Sequence, residues 1–303
     1  MDAAEASPLE TTVCIIGSGF AGLGMAARLR QAGVHDLVVL EHAGSVGGTW
    51  RDNVYPGAAC DIPSHLYSLS FDLNPYWQHT YARQPEIRAY LEAFTDRHGL
   101  RPRIRFHAHV VLAAFNEETG RWRVQTRDGR VFIARFLVGG VGALRDARYP
   151  ELLGMARFEG PSMHSAKWDA GVELRDKRVG VIGTGASAIQ IVPEIAAEVR
   201  RLTVFQRTPA WVVPRFDRPY TPLQKAAFRH LPGLMRLNRW RLYLSRESRY
   251  PVVFGQWRFA ARAVERLLRW NLRRQVPDAA LAAQMSPGYA IGCKRVLISD
   301  DWY

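Results

Sequence analysis

The chain has 303 residues, of which 48% are hydrophobic and 23% charged. It is long enough for two domains with their own cores, and its composition is ordinary for a soluble globular protein. No apolar run approaches the ~18 residues of a membrane span, and the acidic start MDAAEASPLE lacks a secretory signal's basic and apolar stretches. Cys14, Cys60 and Cys293 are too widely spaced for a disulfide framework or a metal-ligand pair. No metal site is expected, and the setting is expected to be reducing and cytoplasmic.

The first forty residues predict strand, glycine turn, helix, strand. TTVCIIG is an apolar run that ends in Gly17, Gly19 and Gly22; a helical pattern follows to about Gln31, and DLVVLE reads as a second strand. A helix is predicted over 85–97, with Pro85 suited to its first turn. From Val110 to Val138 short alternating runs, broken by Glu-Thr-Gly and by Asp128-Gly129, predict an antiparallel meander with a tight hairpin. The opening pattern then returns 166 residues downstream, in RVGVIGTGASAIQIVPEIAAEVRRLTVFQR. Two such units predict an α/β protein with two Rossmann-like dinucleotide-binding domains.

A lone G-x-G-x-x-G is weak, but here each turn follows a strand and opens a helix. The first glycine lets the chain turn, and the second lets backbone amides approach a pyrophosphate at the helix N-terminus. In the second unit, Gly183-Thr184-Gly185 and Ser187 are followed by Ala188 at the third position. The second strands end differently. Glu41 lies 24 residues after Gly17, and Arg207 lies 24 residues after Gly183. A carboxylate there accepts from ribose hydroxyls and repels a 2′-phosphate, which suits FAD or NAD; a guanidinium pairs with that phosphate, which suits NADP. The residues alone therefore predict an NADPH-linked flavoprotein.

The charge is uneven. The formal net charge is +13, and between Thr221 and Val276 thirteen Lys or Arg stand against two acids, so this segment carries +11 and the rest only +2. In QWRFAARAVERLLRWNLRR the apolar residues 257, 260, 261, 264, 267 and 268 form a helical stripe with arginines opposite. The favoured reading is the solvated face of amphipathic helices, with an anionic partner, nucleic acid or a membrane surface, as the competing one. No nucleic-acid partner and no transmembrane segment are expected.

Gly48-Thr49-Trp50, Tyr55-Pro56-Gly57 and Asp61 together resemble a fingerprint of the Baeyer–Villiger monooxygenases. Phe158, Gly160, His164, Trp168 and Asp169 resemble that family's second one. The resemblance covers roughly residues 10 to 303. It implies an FAD domain over residues 1–145, a linker with the second fingerprint over 146–170, and an NADPH domain over 171–303 whose basic helical insertion spans about 221–276. It places Gly17, Gly19, Phe20, Gly22, Glu41, Gly48, Thr49, Trp50, Asp61, Tyr67 and Val110 at FAD. It places Gly183, Thr184, Gly185, Ser187, Arg207, Thr208 and Lys294 at NADPH. Asp61 and Arg295 become the catalytic pair, with Arg295 stabilising the anionic oxygen species and Asp61 orienting it.

The activity implied is NADPH- and O₂-dependent insertion of oxygen next to a ketone carbonyl by way of a C4a-peroxyflavin, giving an ester or lactone, with sulfides as side substrates. Members of the family return to the FAD domain beyond the point matching Tyr303, so a fragment of the active enzyme, with that return missing, is expected. Two competing readings are a flavin-containing N- or S-oxygenating monooxygenase and a non-catalytic nucleotide-binding remnant. His164 is expected to act as a hinge residue rather than an acid or base. Cys60 is expected to serve packing rather than redox chemistry.

Overall fold

A computed structural model describes residues 7–253 and 257–303. The chain divides into two compact units: the residues up to Val54 with Gln84–Trp168, and Tyr55–Arg83 with Asp169–Tyr303.

The first unit is a six-stranded mixed sheet. β1 (Leu9–Ile16) leads through α1 (Phe20–Gln31) to β2 (Leu37–Leu40), and a single helical turn, α2 (Thr49–Asp52), follows. After α3 (Gln84–Arg97) come β3 (Ile104–Arg105), β4 (Val110–Asn116), β5 (Arg121–Thr126) and β6 (Val131–Gly139). The strand order is β3-β2-β1-β6-β5-β4; β1 runs parallel to both β2 and β6, whereas β4, β5 and β6 form the antiparallel meander. Pro85 sits in the first turn of α3, where its missing amide costs nothing. Gly129, at φ +87°, closes the hairpin that Asp128-Gly129 predicts. Strand β2 is buried throughout, and Cys14, Val38, Leu40, Val124, Phe132 and Ala134 form a core beneath it. Burial pushes the Cys14 thiol up to about 12, so it behaves as a small apolar residue.

The second unit holds β7 (Arg178–Ile182), α4 (Ala188–Ala196) and β8 (Arg201–Phe205), a parallel strand–helix–strand. β9 (Val212–Val213) follows, then α5 (Pro222–His230), α6 (Pro232–Glu247), α7 (Tyr250–Val253), α8 (Arg258–Gln275), α9 (Ala279–Met285) and β10 (Leu297–Ile298). β9 and β10 pair with each other, so β7–β8 is a separate two-stranded ribbon rather than part of one wide sheet. The basic segment is helical as expected. Its packed stripe is narrower than the pattern suggests: Ala261, Leu268 and Leu272 are buried on α8, whereas Trp257 and Leu267 are exposed.

Segment Tyr55–Arg83 contains no helix or strand and is held by side chains of the second unit. Asp217 accepts from Thr80 Oγ1 (2.8 Å), the Tyr81 amide (3.0 Å) and His79 Nδ1 (3.1 Å). Arg239 Nη1 donates to the carbonyls of His65, Leu66 and Ser68. Backbone pairing of Thr80 with Arg218 and of Tyr220 with Gln78 completes the clasp.

Candidate functional site

The glycine turn of the first unit is built at contact distance. The Gly17 amide donates to Leu40 O (2.8 Å), φ is +97°, and a Cβ there would lie 2.4 Å from Gly140 O. Gly19 caps α1 with no side-chain hydrogen bond to the helix amides. A second glycine pair lies against it: Gly48, at φ +52°, would bring a Cβ within 3.1 Å of Gly19 Cα, and the Gly47 amide donates to Ser18 O (3.0 Å). Two bare backbone stretches thus pack against each other at contact distance, and with glycine at these positions no side chain shields their amides from a ligand. Phe20 opens α1 with its ring 6.0 Å from that of Tyr90. Thr49 is exposed at the start of α2, Trp50 is buried with its carbonyl accepting from Gln84 Nε2, and Val110 opens β4.

Glu41 stands beside this turn, as its spacing predicts, but its carboxylate is turned inward and is 2% exposed. It accepts from the Ser18 amide (3.0 Å) and hydroxyl (2.6 Å), the Ala43 amide (2.9 Å), Arg51 Nη1 (2.9 Å) and His42 Nδ1 (2.8 Å). Burial alone would raise its pKa, but the Ser18, Ala43 and Arg51 contacts outweigh that and hold it below the usual range. Ser18 and Arg51 escaped the sequence reading. Arg51 lies inside the first fingerprint, but nothing in its spacing points to a partner ten residues back.

In the second unit Gly183 turns at φ +104°, with its amide on Phe205 O (2.9 Å), and a Cβ on Gly183 or Gly185 would meet nothing within 4 Å. Ser187 caps α4 without a side-chain bond to the helix amides. Thr184 Oγ1 donates to Thr208 O (3.5 Å). Arg207, just past the end of β8, is exposed and makes no ion pair among the described residues. Lys294 Nζ lies 4.9 Å from the centre of the Tyr289 ring.

The same unit brings Asp61 and Arg295 together. Arg295 Nη2 donates to Asp61 Oδ2 across 234 residues of sequence, and the two side chains are 41% and 64% exposed respectively. Asp61 follows a short pairing of Ala59 with Arg83 and of the Cys60 amide with Ala82 O (2.9 Å). Burial pushes the Cys60 thiol up to about 12, which suits packing rather than thiolate chemistry. Tyr67 belongs to this unit too, its amide on Pro63 O (2.8 Å). In the first unit, His164 Nδ1 accepts from the Ala166 amide (3.1 Å), capping the turn Ser165–Lys167. No cluster of metal-ligating side chains occurs among the described residues, and no helix among them is long and apolar enough to cross a membrane.

The profile of a pyridine nucleotide-disulphide oxidoreductase family matches residues 14–231. A Baeyer–Villiger monooxygenase of Streptomyces coelicolor is 49% identical over 297 residues, which is 96% of this chain and 56% of the relative. One from Pseudomonas aeruginosa is 44% identical, over 96% of this chain and 55% of its own length. Among solved structures, an oxidized steroid monooxygenase bound to NADP superposes with a TM-score of 0.83 at 35% identity, covering 97% of this chain and 63% of that one. A cyclohexanone monooxygenase from a Rhodococcus species bound to NADP+ gives 0.84 at 32%, covering 98% and 62%. The chain therefore spans little more than half the length of the curated relatives it matches.

Proposed function

Because the chain belongs to the pyridine nucleotide-disulphide oxidoreductase family, and within it to the Baeyer–Villiger monooxygenases, we propose that it serves an FAD- and NADPH-dependent oxygenation that inserts one oxygen atom beside a ketone carbonyl. The observation that carries this reading is the Asp61–Arg295 pair, assembled within one unit from two distant segments. The residues fit the cofactors. The opposed glycines 17, 19, 47 and 48 leave bare backbone where a flavin dinucleotide's pyrophosphate would lie. The open turn at Gly183 and Gly185, with the guanidinium of Arg207 just past the neighbouring strand and without an ion-pair partner among the described residues, suits a 2′-phosphorylated nicotinamide dinucleotide.

When bound, FAD would take two electrons from NADPH and activate O₂, one atom of which would go to the carbonyl substrate and the other to water. The chain's part is electrostatic. Arg295 offers a fixed positive charge with guanidinium donors beyond the one given to Asp61, placed to stabilise anionic oxygen on reagent and adduct alike. Asp61 holds that guanidinium in one orientation and follows backbone that Gln190 and Ala82 fix at Ala59 and Cys60. Replacing Arg295 by Ala in the FAD-loaded protein should lower ester or lactone formation by about 100-fold, the usual effect of losing one such donor. NADPH consumption should continue and run uncoupled from product. Product formation at the wild-type rate in that variant would overturn the reading, and oxidation of a thioether with no ester from any ketone would point to the S-oxygenating class.

A further inference from the structure

Helix α4 does more than follow the second glycine turn. Ala188 and Ile189 are buried, Ile189 against Val212 and Leu297, and this fixes the rotation of the helix about its axis. Gln190, the next residue, then meets the loop that leads to Asp61. Its Nε2 donates to Ala59 O (3.0 Å), and its Oε1 accepts from the Ala59 amide (3.4 Å) and from Tyr55 Oη (3.1 Å). One side-chain amide thereby pairs both backbone groups of Ala59, as a neighbouring strand would. The Cys60 amide is held on Ala82 O.

Gly57 shows how close the loop lies to the helix. At φ +75° it would bring a Cβ to 2.6 Å from Gln190 O and 2.8 Å from Glu194 Cγ. Tyr55 reaches further toward the glycine turn. Burial raises its pKa against the effect of a hydrogen bond with the Ser187 side chain. Gln190, a first-turn residue of the helix, thus holds positions 55 and 59 of the loop, with Gly57 packed against the same helix, and Asp61 with its bond to Arg295 is two residues beyond Ala59.

We propose that Gln190 is a positioning residue that couples occupancy of the Gly183–Ser187 turn to the order of the Asp61 loop. A nucleotide at that turn fixes the first residues of α4, and through Gln190 it narrows the conformations open to residues 55–61. The coupling is an ordering effect with no change of fold, and by linkage it acts in both directions. The inference rests on the reading of this turn as a nicotinamide dinucleotide site.

Hydrogen–deuterium exchange on the 303-residue chain tests the two ideas separately, with NADP+ as the probe. In the wild type, NADP+ should slow exchange both over residues 183–190 and over residues 55–62, the latter by at least about fivefold, the low end for coupling between two sites. Gln190→Leu should keep the first protection and lose the second. Tyr55→Phe, which removes one of the three bonds and cannot unfold the helix, should give an intermediate loss. No protection over 183–190 in the wild type would sink the nucleotide site itself. Protection over 183–190 without protection over 55–62, or protection of both that survives Gln190→Leu, would leave the site standing and overturn the coupling.

Discussion

Gly22 and Ala188 occupy the same place in the two glycine turns, and the structure makes opposite demands of them. A Cβ on Gly22 would lie 1.9 Å from Gly17 O and 3.0 Å from Gly17 C. Ordinary contact begins near 3.4 Å, so Gly22→Ala requires helix and turn to part by about 1.5 Å. The turn cannot yield, because Gly17 is tied to Leu40 O and is itself packed against Gly140. The helix must lift instead, drawing Leu23, Ala26 and Ala27 out of a core in which they are at most 1% exposed. Overpacking of this kind costs ~1–3 kcal/mol, and the displaced core adds to it, whereas the gain in helix propensity from Gly to Ala is only ~1 kcal/mol. The net loss should be about 2 kcal/mol, or ~4–8 °C in the melting of the first unit. Scanning calorimetry, which resolves two units if they melt apart, is the assay. Ala188→Gly is the control, since a buried methyl is already accommodated there; it should cost ~1 kcal/mol in propensity, together with the loss of that methyl, in the other unit. A Gly22→Ala protein that melts within ~0.5 kcal/mol of the wild type would refute the packing argument.

Other outcomes follow from the charges. Glu41 has a folded-state pKa held below its unfolded value of about 4.3, so its stabilisation is complete above that pH and is lost as pH falls through the lower folded value. Glu41→Gln should therefore be less stable than the wild type at pH 7, with the gap closing toward pH 3; a constant gap in guanidinium midpoints would contradict this. His65 is 3% exposed, its ring 4.3 Å from that of Phe228, and burial pushes it down to about 4. The unfolded chain takes up that proton first, so stability of the second unit should fall between about pH 6.5 and 4, by up to ~3 kcal/mol, and His65→Phe should flatten that limb. Arg207→Ala should weaken NADP+ binding by roughly 10- to 100-fold, the worth of a charged hydrogen bond, and leave NAD+ binding unchanged in calorimetric titration.

What the sequence made legible is what short-range chemistry decides. Gly17, Gly183 and Gly129 were readable because each stands at a positive φ that its neighbours signal, and Pro85 because it suits only a first turn. The stripe on α8 was readable in period but not in width. Residues 261, 268 and 272 pack, whereas Trp257 and Leu267, near the margins of the same apolar arc, stay 60% exposed. Partners at long range were not readable. Glu41 was expected to offer its carboxylate to a ribose, yet Ser18, Ala43, His42 and Arg51 occupy both oxygens. Likewise nothing local in residues 55–83 signals that Asp217 and Arg239 hold them.

That long-range clasp separates what holds Asp61 in place from what Asp61 does. Its bond to Arg295 joins side chains that are 41% and 64% exposed, and an exposed pair of this kind contributes only ~0–1 kcal/mol to folding. The fold therefore does not depend on it. The backbone around it is fixed by other means: Ala59 by Gln190 and Cys60 by Ala82 before it, and Tyr81, where the segment returns, by Asp217. A chain that fixes a loop so closely, and leaves at its end an ion pair of little structural worth, has its guanidinium oriented and still open to a ligand. On the proposed function, removing either charge should therefore lower oxygenation, by about 100-fold for Arg295, without moving the melting temperature. A loss of both together would mean that the pair belongs to the scaffold.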